Sequence, residues 1–115
     1  MPMPAYLLET PKTNPTEILS RQVRNLGLEV DIVRAGNTLT VRGLEVTTET
    51  ESEVARAVRL ICNHADANHL SVDAIVYPVQ GNMISRYEAG GFIIHHVGSD
   101  EEEDSYTLLH RASRQ

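Results

Sequence analysis

One amphipathic stretch sets the frame for the rest of the chain. Across residues 51–68, Val54, Val58, Ile61 and Ala65 recur at i, i+4, i+7 and i+11, with Ala57 and Leu60 alongside. That spacing draws an apolar stripe down one side of an α-helix. Arg56 and Arg59 fall elsewhere on its surface. Thr50-Glu51-Ser52-Glu53 reads as a capping box that starts this helix. Apolar segments at 39–47 and 72–77 flank it, and both read as strands.

The remaining elements follow from local signals. Residues 5–8 read as a short strand or an ordered tail, and 11–15 as a break between prolines. Asn14-Pro15-Thr16-Glu17 combines an N-cap, a proline at N1 and a glutamate at N3. Ile18, Leu19, Val23 and Leu26 then share a helical face, and Gly27 closes the helix. Residues 28–34 form a strand with Val30, Ile32 and Val33, and Ala35-Gly36-Asn37-Thr38 is a hairpin turn. In strand 39–47, Gly43 interrupts the alternation of Leu39, Val41 and Leu44 or Val46, which marks a bulge or bend. Pro78 ends the strand 72–77. A short helix spans 82–89, Gly90-Gly91 ends it, and strands follow at 92–97 and 106–110. The run Asp100-Glu101-Glu102-Glu103-Asp104 between them is a solvated turn.

A chain of 115 residues is long enough for one domain with one core, so 1–115 is read as a single domain. Aromatic residues are only 4%, so Val, Ile, Leu and Ala must fill that core. No apolar run approaches the ~20 residues of a membrane helix, and the N-terminus lacks the charge and apolar run of a signal peptide. Cys62 is the lone cysteine, which fits a reducing cytosol. A net charge of −6 argues against nucleic acid as a partner.

The segment Asn82-Met83-Ile84-Ser85-Arg86-Tyr87-Glu88-Ala89-Gly90-Gly91-Phe92 resembles the C-terminal signature of the GCN5-related N-acetyltransferase (GNAT) superfamily. The order of elements resembles it too, over about residues 39–111. The resemblance implies an α/β (by some definitions α+β) fold, a shortened GNAT-like mixed sheet in the order (β)-α-β-β-α-β-α-β-β. There a strand feeds the long helix, which returns to a parallel strand, then a shorter helix and a final antiparallel pair. The first third is too short for the family's usual two N-terminal helices. In the family, a splay between the two central strands lets coenzyme A pair with the backbone. Amides at the start of the long helix hold its pyrophosphate. Carried over by position, Tyr87 would be the general acid that protonates the leaving thiolate. Asn82 would begin its helix, Val46 and Thr47 would meet acetyl-CoA, and Glu45 would be the candidate base.

The phosphate loop departs from the family's Gln/Arg-x-x-Gly-x-Gly/Ala. Residues 46–55 contain no glycine and no basic residue, and Glu49, Glu51 and Glu53 stand where phosphate charge would lie. Each such contact near 4 Å costs about 1 kcal/mol in water, so together they weaken binding by a factor on the order of 100. The expectation is therefore a degenerate GNAT-like domain with no cofactor, acting as a protein-binding or regulatory module through an unidentified partner or self-association. Small domains of this kind are familiar among phage-encoded proteins. The alternative is an active small N-acetyltransferase that uses acetyl-CoA. The histidines do not point to a metal. His64 and His69 are five apart, and His95 and His96, adjacent on a strand, should face opposite ways. Cys62, beside an apolar stripe, is read as core rather than nucleophile.

Overall fold

Asn14 begins the first helix by accepting a hydrogen bond from the Thr16 amide on its side-chain oxygen at 2.9 Å. The computed structural model describes residues 14–102 and 104–113; the expected strand at 5–8 and most of the proline break lie outside them. The order is α1 (Pro15–Arg24), β1 (Asp31–Ala35), β2 (Thr38–Arg42), α2 (Glu51–Ala67) and β3 (Ser71–Val76). A 3-10 turn (Pro78–Gln80), α3 (Met83–Ala89), β4 (Ile93–Ser99) and β5 (Ser105–Arg111) complete it. One five-stranded sheet runs β1-β2-β3-β5-β4, with only β2 and β3 parallel. This is the α/β mixed sheet that the sequence implies.

The three α-helices of the described residues lie in contact in series, α1 on α2 and α2 on α3, and cover one face of the sheet. Val54, Ala57, Val58, Ile61 and Ala65 of α2 are buried against that face. Leu39 and Val41, Val72, Ala74 and Val76, and Leu109 meet them from β2, β3 and β5. The period-2 alternation of these strands selects which side chains face inward. Gly36 takes φ +61 in the two-residue hairpin turn, a conformation that suits glycine.

Several expectations need correcting. In α1 the buried face is Thr16, Leu19, Ser20 and Val23, while Ile18 is exposed. The helix axis turns the 16-19-20-23 row inward, one position away from Ile18. The strand read over 39–47 ends at Arg42, because Gly43 takes φ +89 and leaves the ladder. Thr50 is the N-cap of α2 but makes no side-chain cap bond. Its hydroxyl accepts from the Thr47 amide at 2.9 Å instead, so the capping box does not form. His95 and His96 do not face opposite ways. A register shift between Ile94 and His96 sets both rings over the uncovered face, His95 5.9 Å from His110 and His96 6.1 Å from Tyr106.

Candidate functional site

The place to look is where β2 and β3 part, since the parallel ladder stops at Arg42 and Ile75. Beyond it the chain closes the gap with its own backbone. The Val46 amide donates to the Gln80 carbonyl at 3.0 Å. Gln80 is buried, and its side-chain oxygen accepts from the Tyr77 amide at 2.7 Å. The Gln80 amide in turn donates to the Tyr77 carbonyl at 3.0 Å, which winds the 3-10 turn. Gly81 follows at φ +77, and a Cβ there would collide with the Val46 carbonyl oxygen. One backbone hydrogen bond thus joins the two strand extensions, and the Gly81 backbone packs against Val46 beside it.

In the loop before α2, three backbone amides are engaged within the loop. The Thr47 amide is taken by the Thr50 hydroxyl at 2.9 Å, and the Glu49 amide by the Thr47 hydroxyl at 3.3 Å. The Thr50 amide donates to the Thr47 carbonyl at 3.1 Å. Glu51 reaches across to Arg86 at 3.2 Å, an exposed pair of small energetic weight.

Tyr87 lies in the core. It is 1% exposed and packs against Phe92 with ring centroids 4.9 Å apart at 54°. Burial, with a smaller contribution from Cys62, pushes its phenol far above the usual value of 10. Glu45 is exposed beyond the end of β2, not within a strand. Asn82 is the N-cap residue of α3 without a side-chain cap bond, and it is exposed. The proposed roles of Tyr87, Glu45 and Asn82 therefore attach to three different environments: core, surface loop and helix start. Cys62 is buried, as the helix stripe implies.

Two residues that matter escaped the sequence reading. Gln80 is one. Arg111 is the other: 5% exposed, it donates to both oxygens of Asp66 at 2.8 and 3.0 Å and, through Nε, to the Gly90 carbonyl at 2.9 Å. It joins β5 to the last turn of α2 and the end of α3. The available signal was alternation: two residues after an inward Leu109, position 111 also points inward. On the uncovered face, His110 Nδ1 and Asp73 Oδ1 stand 2.6 Å apart. Among the described residues, no group of three or more His, Cys, Asp or Glu side chains is arranged to hold a metal, and no helix is long and apolar enough to cross a membrane.

No protein-family model matches the sequence, and no curated protein does. The fold is similar to the crystal structure of Ard1 from Thermoplasma volcanium, with a TM-score of 0.57 and 12% identity. The match covers 75% of this chain, and the chain spans 62% of that protein's length. Ard1 is an N-acetyltransferase of the GNAT fold, and at this identity the likeness is one of fold. The chain has a shortened GNAT-like fold.

Proposed function

We propose that this domain is a degenerate GNAT-like module that works in the cytosol by binding protein, in a regulatory role, and does not use acetyl-CoA. The observation that carries this reading is the hydrogen bond from the Val46 amide to the Gln80 carbonyl. It spans the gap in which the resembled family pairs coenzyme A with the strand backbone. A ligand entering there would have to break that bond and displace Gln80 from the Tyr77 amide. The loop that would receive the pyrophosphate adds to the case. The amides of Thr47 and Glu49 serve the loop's own threonines, and Glu49, Glu51 and Glu53 bring negative charge. Tyr87 fits a packing role here, since a phenol raised by burial and stacked on Phe92 is poorly placed to give up a proton.

Isothermal titration calorimetry with acetyl-CoA tests the proposal. The expected result is no saturable heat at millimolar cofactor. A Kd below about 100 μM, roughly −5.5 kcal/mol, overturns it and restores the reading as a small N-acetyltransferase.

A further inference from the structure

β4 is the last strand of the sheet, and among the described residues it pairs only with β5. Its seven residues, Ile-Ile-His-His-Val-Gly-Ser, include no Lys, Arg, Asp, Glu or Pro. All but Gly98 are exposed. Ile93 is 64% exposed, Ile94 50% and Val97 65%. Among the described residues the other exposed large apolar side chains, Ile18, Val33 and Val79, are scattered over α1, β1 and the 3-10 turn. An open edge is a template for another strand, and folded proteins guard it with charges, proline or short length. The opposite edge is guarded in this way: β1 has five residues and carries Asp31 and Arg34. On β4 the register shift at Ile94 and His96 is the one irregularity. It gathers both imidazoles on the uncovered face and leaves Ile94 and Val97 toward the helix side, opposite Leu109 and Thr107.

We propose that two copies of this chain associate edge to edge through β4, antiparallel, joining two five-stranded sheets into one. Charge sets the direction and leaves a second copy free to pair: in an antiparallel two-fold pair residue i of one β4 faces residue j of the other, and since β4 holds no Lys, Arg, Asp or Glu, no like charges meet along it. The acidic turn Asp100-Glu101-Glu102-Glu103-Asp104 follows β4 at once. Parallel pairing would set two such turns side by side. Antiparallel pairing puts them at opposite ends of a strand of seven residues, about 23 Å long at ~3.3 Å per residue, which exceeds a screening length of about 8 Å. Each copy's apolar pair Ile94 and Val97 then extends the covered surface of the other. The inference stands apart from whether the β2–β3 gap admits acetyl-CoA.

Sedimentation equilibrium over about 1 to 200 μM tests it. The expected mass rises with concentration toward twice 12.8 kDa, with the micromolar affinity suited to a small interface. Val97→Lys, at a site 65% exposed, should remain monomeric with unchanged circular dichroism. Ile93→Glu, on the other side of the same strand, should do the same, and supplies the answer if Val97→Lys folds poorly. Val33→Lys on β1 and Val79→Lys should still dimerise. A wild type that is monomeric throughout, β4 variants that still dimerise, or dissociation caused by Val33→Lys would each overturn the proposal.

Discussion

Arg111 takes a charge to a position only 5% exposed, and what makes that tolerable is the geometry of its partners. Its fork meets both Asp66 oxygens and its Nε–H meets a carbonyl, so each of its three nitrogens has an acceptor. The Asp66 bonds, against the opposing effect of burial, raise its already high pKa, and it stays charged at any working pH. Cutting Arg111 to Ala removes its three hydrogen bonds to Asp66 and the Gly90 carbonyl together with the packing of its stem, and should cost about 3 kcal/mol or more in urea unfolding. Arg111→Met also loses the Asp66 pair but keeps the stem's packing, and should lose distinctly less. Equal losses in the two variants would mean that the ion pair, lost in both, is what matters, and not the packing of the stem. Tyr87 is the converse case. Its ring does the packing, so Tyr87→Phe should change stability by no more than ~1 kcal/mol, whereas Tyr87→Ala should cost ~3–5 kcal/mol. Residues such as Arg111 and Gln80 are hard to read in a sequence because their partners lie far along the chain or depend on a turn. Alternation gives the direction of a side chain but not what waits for it.

At the scale of elements, legibility tracked how local the cause was. The stripe of α2 and the Asn14-Pro15 start of α1 depend on neighbours within a turn, and both are where the sequence puts them. The threonine cap of α2 and the length of β2 were decided by competition instead, by a second threonine at 47 and by the bend at Gly43. The two histidines of β4 were misassigned because a bulge resets the parity on which strand reasoning rests. The acidic turn, read as plain solvated charge, proves to be organised by one member. Asp100 Oδ1 accepts from the Glu102 and Asp104 amides, both at 2.9 Å, and Oδ2 accepts from the Tyr77 hydroxyl at 3.1 Å. The Asp104 amide above all, then that of Glu102 and the Tyr77 hydroxyl, holds this carboxyl below its ordinary 3.8. A group with a depressed folded value stabilises fully above the ordinary one and loses that contribution as pH falls through its own. Acidification from 3.8 downward should therefore loosen this turn. The Glu102 and Asp104 amides should shift and exchange faster over that window, read by NMR, and Asp100→Asn should remove the titration. Amides that are insensitive down to pH 2 would show that the turn is held by its backbone alone.

At the scale of the molecule, the order of strands and helices was legible because the crossover from β2 through α2 to the parallel β3 leaves few ways to arrange the rest. What that order could not show was whether the two parallel strands stay apart beyond their last pair. The sequence sets charge and missing glycines against acetyl-CoA; under the proposed reading the Val46–Gln80 bond, beside Gly81, is a second obstacle. The two causes can be separated. Neutralising three carboxylates relieves about 1 kcal/mol each, a factor on the order of 100 in all. It does nothing to the Val46–Gln80 bond, nor does it supply the glycines that let a backbone approach phosphate. The variant Glu49→Gln, Glu51→Gln, Glu53→Gln should fold, since Glu49 and Glu51 are exposed and Glu53 is only half-buried. Glu53 also leaves one buried oxygen without a partner, so losing its charge removes a cost. If closure dominates, calorimetry on this variant should still give no Kd for acetyl-CoA tighter than about 1 mM. A tighter value would mean that the gap opens readily once the charge is gone, and that three glutamates alone keep the cofactor from a site the fold still offers.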